Sequence, residues 1–357
     1  MTETTTPSAA GPDAGSETGA APAALPGAAP APKLSILVIS YNTRQMTLDC
    51  LNSIAAETRT PHEVIVLDNV SPDGSAEAIA QAFPPETHPE VRLFASKENH
   101  GFAKGNNIAA RDARGEYLLL LNPDTLVLDG AIDKLMAFAE RRPEAGIWGG
   151  RTLTRDGELD PTCAFDDQTF WSIFCRLTGL SVAFAGSPLF NPEFYGDWQR
   201  DSEREIGVVM GCFLLIRREI WDALGGFDLS FVMYGEEADL CRRAREAGLA
   251  RPRLAPEAEI IHFGGASSPK VSSDTLKLKA RITLANRYLR PWQRPLGVAM
   301  IRIWPLTRKM TGGLAARLTG KERFRAAAAR WGAVWDNRAA WRDGFPFLPH
   351  QAPNPPR

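Results

Sequence analysis

Three compact groups of polar residues each follow a short apolar run in the first third of the chain. They are Ser40-Tyr41-Asn42, Asp68-Asn69 and Asn122-Pro123-Asp124. Because Asn, Asp, Ser and Pro are ordinary turn and capping residues, any one group alone carries little information. An aromatic ring and a carboxylate, as at Tyr41 and Asp68, suit a nucleobase, which needs a face for stacking and an acceptor for N–H groups. Asp124 offers a hard oxygen ligand suited to Mg²⁺ or Mn²⁺ that bridges phosphate oxygens.

A group of acids lies in the later half, at the start of a predicted helix. Glu236, Glu237 and Asp239 fall within four residues. An acid in the first turn stabilises a helix by ~0.3–1 kcal/mol, and this is the favoured interpretation of Asp239. Three acids exceed what capping needs, so their repulsion favours a nearby metal, cation or substrate hydroxyl. A carboxylate at a helix N-terminus also stays ionised at neutral pH, as a general base must.

His262 is a candidate metal ligand because it ends a predicted strand and precedes Phe263-Gly264-Gly265. A lone histidine is more often a core residue than a ligand, and that alternative stays open. Neither glycine-rich phosphate-binding pattern, G-x-G-x-x-G after a strand or G-x-x-x-x-G-K-[ST], occurs. Any phosphate bound here therefore needs a metal to neutralise much of its charge.

Alternating strands and helices are needed to bring these residues together. Apolar runs predict strands at 34–39, 63–67, 91–95 and 116–121, and amphipathic stretches predict helices at 43–57, 74–82, 102–113 and 130–141. Continuous Val, Ile and Leu runs between helices indicate a parallel sheet covered on both faces. Such sheets bind ligands beyond the carboxyl ends of their strands, where all three polar groups lie.

The pattern is less regular after about residue 150. Residues 152–205 show aromatic and turn-forming residues without periodicity, which suits an irregular region that faces the substrate. Further elements are predicted as strands at 206–216, 251–254 and 258–263 and helices at 217–224 and 237–247. Residues 272–342 are predicted to be helical, with breaks at Pro291, Pro295 and Pro305.

Composition excludes several classes of protein. The chain has 357 residues, of which 44% are hydrophobic and 23% charged, so it is neither wholly disordered nor fibrous. A net charge of −1 gives no argument for nucleic-acid binding, and none is expected. The five cysteines form no C-x-x-C pair, which suits reduced thiols in a cytosolic protein. We expect a cytoplasmic protein, soluble or peripheral on the membrane, because no signal peptide or membrane-spanning run is visible.

The charge balance conceals a basic segment near the end of the chain. From Lys270 to Arg325 there are 14 Lys and Arg residues but only two acids, Asp274 and Glu322. Aromatic residues such as Trp292 and Trp304 lie between the cations. Basic helices with interfacial aromatics suit an anionic membrane surface, and a helical cap with a basic solvated face is an equal alternative.

Six motifs together resemble the family 2 glycosyltransferases of the GT-A fold, over about residues 34–267. They are ISYN (39–42), VLDNVSPDGS (66–75), NHGFAKGNN (99–107), LLLLNPDT (118–125), GFDLSFVMYGEEADLCRR (226–243) and HFGGAS (262–267). The sequence is similar in particular to bacterial rhamnosyltransferase-like members, which build cell-envelope polysaccharides. The resemblance implies an α/β fold with a mostly parallel sheet flanked by helices, to which this chain adds a helical C-terminal extension.

The resemblance also implies roles for individual residues. Tyr41 and Asp68 would hold the nucleobase and ribose of a nucleotide-diphosphate sugar. Asn122-Pro123-Asp124 takes the place of the Asp-x-Asp metal motif of the family with only its last carboxylate, so His262 would complete the Mg²⁺ or Mn²⁺ shell. The remaining residues expected near substrate are Asn42, Asn69, Gly105, Asn106, Asn107, Asn122 and Asp239.

The implied reaction is an inverting transfer of a rhamnose-like sugar or another hexose to a glycan or polyprenyl-diphosphate-linked acceptor. Glu236-Glu237 takes the place of a Glu-Asp pair whose second acid is the base, so Glu237 is the expected base and Glu236 the alternative. A non-catalytic nucleotide-sugar-binding partner remains open. A sugar-phosphate nucleotidyltransferase is disfavoured, because SYNTRQMT at 40–47 replaces the Gly-rich basic loop it would need.

The expected organisation has three parts. Residues 1–32 are predicted to be a disordered Ala/Pro-rich tail because they contain too little apolar surface to fold. Residues 33–268 form the glycosyltransferase domain, with a nucleotide-binding half at 33–125 and an acceptor half at 126–268. Residues 269–357 form the basic helical extension.

Overall fold

The computed structural model describes residues 32–264 and 270–348, together with Met1. Nearly all of the predicted tail at 1–32 and the end of the last motif, at 265–267, therefore lie outside the described residues. From Pro32 onward the chain forms one compact unit. Within the described ranges, no helix is both long and apolar enough to cross a membrane.

Strands and helices alternate through the first half of the chain, as predicted. The strands are β1 Leu34–Ser40, β2 His62–Asp68, β3 Val91–Ala95, β4 Tyr117–Leu121, β5 Thr125–Val127, β6 Ile147–Leu153, β7 Ala164–Phe165, β8 Arg204–Glu205, β9 Val208–Val209, β10 Phe213–Arg217 and β11 Arg253–His262. The helices are α1 Arg44–Glu57, α2 Ser75–Ala82, α3 Gly101–Asp112, α4 Ala131–Arg141, α5 Phe170–Thr178, α6 Leu180–Ala183, α7 Arg218–Leu224, α8 Glu236–Glu246, α9 Lys270–Tyr288, α10 Arg294–Thr319 and α11 Glu322–Asp336. The first four predicted strands and helices match to within one residue at each end.

The main sheet has the order β3-β2-β1-β4-β10-β6-β11-β5, and β8 pairs with β11 at the side. The pairs β2–β3, β1–β2, β1–β4 and β6–β11 are parallel. The strand β10 runs antiparallel between β4 and β6, and β5 runs antiparallel to β11. The sheet is therefore mostly parallel and flanked by helices, as expected for the GT-A fold.

Two strand predictions in the second half were wrong in detail. The apolar run at 206–216 divides, because a turn at Gly211 separates β9, which pairs with β7 in a small sheet, from β10. Conversely, the strands predicted at 251–254 and 258–263 form the single strand β11. Its pairing with β6 shifts register between Ala255 and Glu259, where Pro256 removes a ladder donor.

Apolar side chains cover both faces of the sheet. On β1, Ile36 and Val38 join one core cluster, whereas Leu37 and Ile39 join the other. Because both faces are buried, the strands show continuous apolar runs instead of alternation. This arrangement leaves only the strand ends for polar chemistry.

The three C-terminal helices agree only partly with the proline breaks predicted for them. Pro291 lies between α9 and α10, and Pro295 lies in the first turn of α10, where its missing N–H costs nothing. The break predicted at Pro305 was wrong, because α10 continues through this buried residue. Packing against α5 and α11 outweighs the ~3 kcal/mol cost of an internal proline.

The substitution Gly150→Ala is expected to lower the free energy of unfolding by about 1–3 kcal/mol through overpacking. A Cβ at Gly150, in β6, would overlap the carbonyl oxygen of Ala258 and the ring of Phe213. The matched control is Gly313→Ala, where no atom lies within 4 Å and removal of a helical glycine should stabilise the protein by up to ~1 kcal/mol. Urea unfolding of the two variants measures both effects, and equal stabilities would contradict the close packing at Gly150.

Candidate active site

The ends of β1 and β2 form a polar edge, as the sequence predicts. Ser40 pairs with Asp68 in the sheet register, and Asn69 N donates to Ser40 O at 2.8 Å. The Asp68 carboxylate accepts from Ser71 N through Oδ2 at 2.9 Å, while its buried Oδ1 has no partner in the structure. The Tyr41 ring is 39% exposed, so the edge combines an accessible aromatic face with a buried, unpaired carboxylate oxygen.

The two asparagines of this edge connect it to neighbouring loops. Asn42 has a φ of 55° and donates its N–H to the Ser71 hydroxyl at 2.9 Å, which ties the β1 end to the loop after β2. The Asn69 side chain accepts from His100 N at 3.1 Å and donates to Gly101 O at 3.3 Å. Asn69 therefore positions the start of α3 and uses both ends of its amide to do so.

The residues of α3 that were expected near the donor differ in their surroundings. A Cβ at Gly105 would lie 3.0 Å from Ile39 Cγ2, so this glycine allows α3 to approach β1 closely. Asn106 donates to Phe102 O at 3.0 Å, and its buried Oδ1 has no partner. The Asn107 side chain donates to Phe227 O and accepts from Phe227 N, both at 2.9 Å. Asn107 thus holds the loop that leads to α8.

Asp124 and His262 lie together, because antiparallel pairing of β5 with β11 places His262 opposite Thr125. His262 Nε2 lies 3.3 Å from Asp124 Oδ1 and 3.2 Å from Asn122 Nδ2. Asn122 Oδ1 is buried and has no partner in the structure. A carboxylate, an imidazole and an orphaned amide oxygen suit Mn²⁺ or Mg²⁺. Among residues 32–264 and 270–348, no group of three His, Cys, Asp or Glu side chains could hold a metal by itself, so further ligands must come from elsewhere.

When no cation is bound, the surroundings of His262 favour its protonated form, and a metal held by this imidazole would displace the proton. Burial lowers the pKa of the imidazole, but the neighbouring Cys212 and Asp124 outweigh burial and raise the pKa to about 11. Cys212 was not among the predicted site residues, because nothing in its spacing marks it. Its carbonyl also accepts from Asn122 N at 3.2 Å, so it supports two members of the group.

The two glutamates at the start of α8 lie in different environments. Gly235, with a φ of 92°, precedes them, and a Cβ there would lie 3.0 Å from Ala280 Cβ. Glu236 is 3% exposed with an unpartnered Oε2, whereas Glu237 is half-buried. Burial raises the pKa of both carboxyls, and for Glu236 the charge of Glu237 adds to it. Lys277 of α9 opposes the rise in the pKa of Glu237, so Glu237 is the member of the pair that ionises first.

The Asp239 carboxylate is bound by side chains of α8 and α9. It is fully buried, and its carboxylate oxygens lie 2.7 Å from Arg243 Nε and 2.8 Å from Arg287 Nη1. The Tyr288 hydroxyl donates to it at 2.6 Å. Arg287 also lies 2.8 Å from Asp228 Oδ2, in the loop before α8. The role that the resemblance gave Asp239, substrate binding, therefore has no support from its contacts.

The acids and the Asp124–His262 pair flank the same short segment, 209–212. Cys241, one turn after Glu237, lies with its thiol at the Val209 backbone, and Cys212 lies beside Asn122 and His262. Three residues of extended chain span at most about 11 Å, so the Cα atoms of Val209 and Cys212 lie no farther apart than that. The loop before α8 also covers the start of α3, since a Cβ at Gly101 would lie 3.2 Å from Val232 O. The helix that carries the two acids and the Asp124–His262 pair therefore contact opposite ends of one four-residue segment.

Comparison with known proteins identifies the family. A model described as Glycosyl transferase family 2 matches residues 35–225. The chain belongs to this family. It is a glycosyltransferase, and this membership agrees with the motifs at the strand ends and disfavours a nucleotidyltransferase.

Two curated relatives are informative. An N-acetylglucosaminyl-diphospho-decaprenol L-rhamnosyltransferase of Mycobacterium tuberculosis is 28% identical over 277 residues, which are 74% of this chain and 87% of the relative. Glycosyltransferase GlyG of Streptococcus pneumoniae serotype 4 is 30% identical over 189 residues, which are 53% of this chain and 58% of the relative. The family 2 glycosyltransferase is therefore rhamnosyltransferase-like.

Solved structures share the fold. A mannosyltransferase from Pyrobaculum calidifontis, in complex with GDP-Man and Mn²⁺, has a TM-score of 0.55 at 17% identity and covers 88% of this chain and 87% of its own. GalNAc-T7 with UDP, GalNAc and Mn²⁺ has a TM-score of 0.55 at 13% identity and covers 84% of this chain and 55% of its own. Both likenesses concern the GT-A fold.

The substitution Asp239→Asn tests the contacts of this residue. We expect the free energy of unfolding to fall by ~3 kcal/mol, because Arg287 and Arg243 lose a buried partner. Asp343→Asn is the matched control. Asp343 also pairs with an arginine, Arg302, but its side chain is 73% exposed, so its loss should have little effect on stability. Urea unfolding measures both. Unchanged stability with lost substrate binding would instead make Asp239 a substrate ligand.

Proposed function

We propose that this glycosyltransferase moves a hexose, rhamnose or a similar sugar, from a nucleotide-diphosphate donor to a hydroxyl of a polyprenyl-diphosphate-linked glycan, with inversion. The observation that carries the proposal is the glutamate pair at the start of α8, in which Glu237 is the more exposed and more readily ionised acid. The Asp124–His262 pair, near the other end of segment 209–212, supports it. The M. tuberculosis relative, named for a decaprenyl-diphosphate-linked acceptor, supports the acceptor class. Five buried free cysteines are compatible with action on the reducing, cytoplasmic side of a membrane.

The donor would bind at the ends of β1 and β2. The exposed ring of Tyr41 offers a stacking face for the nucleobase, and the unpartnered Oδ1 of Asp68 can accept from a ribose or base donor. The fold neighbours solved with GDP-Man and with UDP support a nucleotide donor. Asn42 and Asn69 would act by shaping this edge, since their polar groups bind the adjoining loops.

A divalent cation, Mn²⁺ or Mg²⁺, would be held by Asp124, His262 and the amide oxygen of Asn122. When bound, it supplies positive charge that stabilises the departing diphosphate. The donor's own phosphate oxygens would complete a shell for which the protein provides few charged ligands.

Glu237 would act as the general base. Its carboxylate takes the proton of the acceptor hydroxyl, and that oxygen attacks the anomeric carbon. The bond from the anomeric carbon to the diphosphate oxygen breaks on the opposite face, which inverts the configuration. Glu236, buried beside it and with the higher pKa, would keep its proton and leave Glu237 ionised.

The substitution Glu237→Gln is expected to lower kcat by about 10²–10⁴-fold, the usual contribution of a general base, while donor affinity is retained. Because the pKa of Glu237 is raised, the active base form of the native enzyme should be lost as pH falls through a value above the ordinary carboxyl range. Sugar transfer measured across pH, with donor binding by calorimetry, tests both statements.

Two variants act as comparisons for this experiment. Glu246→Gln changes an exposed acid at the other end of α8 and should leave turnover unchanged. Glu236→Gln should leave the acid limb nearly unchanged, because it replaces a neutral, protonated carboxyl by a neutral amide. Transfer by Glu237→Gln at near the native rate would refute the assignment of the base.

The substitution Asp124→Asn is expected to abolish the Mn²⁺-dependent part of donor binding. In a thermal-shift panel of UDP-, GDP- and dTDP-sugars, the native protein should gain stability with the cognate donor plus Mn²⁺, and the gain should fall on addition of EDTA. Asp129→Asn, at a carboxylate whose side chain is 92% exposed, is the control. A full Mn²⁺-dependent shift in Asp124→Asn would show that the metal binds elsewhere.

A further inference from the structure

Exposed aromatic side chains form a cluster on α5 and the segment after it. Trp171 stacks on Phe174 with ring centroids 5.5 Å apart, and Phe190 contacts both Trp171 and Phe184 at 6.3 and 5.0 Å. Trp171 is 41% exposed, Phe174 36% and Phe184 51%. Exposing a contiguous group of aromatic rings to water is unfavourable in free energy, so such a patch indicates a surface that a partner covers.

A second exposed apolar feature runs along α10. Its large apolar side chains that face solvent share one helical stripe, with spacings of seven, seven, four and four residues: Leu296, Ile303, Met310, Leu314 and Leu318. Their exposures are 57%, 47%, 65%, 58% and 77% in that order. From Leu296 to Leu318 the stripe is about 33 Å long at ~1.5 Å per residue.

The two features adjoin, because α5 runs alongside α10 in the same direction. A Cβ at Gly297 would lie 3.8 Å from both Phe170 and Ile173, and a Cβ at Gly179 would lie 3.5 Å from Arg308 Nη1. Residues three, four or seven apart share one face of a helix. With the two helices parallel, the exposed side chains of α5 and those of α10 therefore lie on the same side of the interface between the helices. We refer to the aromatic cluster and the stripe together as the α5–α10 surface.

The charges around this surface are positive. α10 contains no acidic residue, and Arg317 is exposed on it beside the stripe. The turn that follows adds the exposed Lys321, and the first turn of α11 adds the exposed Arg323 together with one exposed acid, Glu322. An apolar stripe flanked by cations fits an anionic lipid surface. Two copies packed through the stripe would oppose like charges, which disfavours self-association.

We propose that the α5–α10 surface docks the protein on an anionic lipid bilayer, with the stripe and the aromatic cluster in the interfacial layer. Of the basic segment that composition indicated, the surface uses only α10 and the turn after it, because several of the segment's cations serve the protein interior. Arg281 binds Glu193, Arg287 binds Asp239, and Arg308 donates to Arg176 O. The proposed surface takes no part in the transfer chemistry, so it stands or falls separately from the proposed function.

Vesicle flotation with the full-length chain tests this proposal. The native protein should float with vesicles of phosphatidylcholine mixed with an equal amount of phosphatidylglycerol and should bind phosphatidylcholine alone at least about tenfold less, with binding that weakens in high salt. The double variant Leu314→Glu, Leu318→Glu should lose at least about tenfold in binding to the anionic vesicles. Both positions are exposed, so the fold should be kept, which the unfolding temperature checks.

Leu249→Glu is the matched control, a 41% exposed leucine outside the surface, and it should float like the native protein. Donor binding measured on the same preparations should be equal in all three proteins. Native protein that stays in the dense fraction with anionic vesicles would overturn the proposal, as would unchanged flotation of the double variant. A native dimer that the double variant dissociates would also overturn it, and would identify the surface as a self-association face.

Discussion

The position of α8, which carries the two candidate acids, depends on one buried ion-pair group. Asp239 lies on α8 between Arg243 and Arg287, and Arg287 also binds Asp228 in the preceding loop. A buried carboxylate without partners costs several kcal/mol, so α8 and α9 must pack together for Asp239 to be tolerated. Because Glu236 and Glu237 precede Asp239 on the same helix, this requirement also fixes where the two acids lie.

The C-terminal helices are therefore part of the body that holds the site. Arg281 of α9 binds Glu193, which also pairs with Arg176 of α5. Although burial raises the pKa of Glu193, the two guanidinium groups hold it well below its ordinary value. Burial raises the pKa of Glu237, and Lys277, on the same helix as Arg281, opposes part of that rise. The helix α9 thus stabilises the positions of α5 and α8 through ion pairs, and it also affects the pKa of Glu237, the proposed base.

Local patterns predicted the first half of the fold, because it depends on short-range signals. Apolar runs bounded by turn residues predicted β1 to β4, and Asp68 and Asp124 lie at or just after the strand ends where these patterns placed them. What failed depends on distant partners. The residues adjacent to Asp239 in sequence do not indicate that Arg287 binds it. Likewise, the residues adjacent to Pro305 do not indicate that packing against α5 and α11 keeps α10 continuous. The turn at Gly211 was hidden inside an unbroken apolar run.

Composition could not decide between the two alternatives for the basic segment, for a physical reason. A count of cations does not distinguish those that neutralise buried acids from those that face solvent. Arg281 and Arg287 belong to the first kind, since each lies against a carboxylate that is at most 5% exposed. Removing α9 would therefore leave Glu193 and Asp239 with fewer partners and displace α8. The lipid-facing role has to be separated from this internal role by changing exposed side chains on α10, where no buried charge is disturbed.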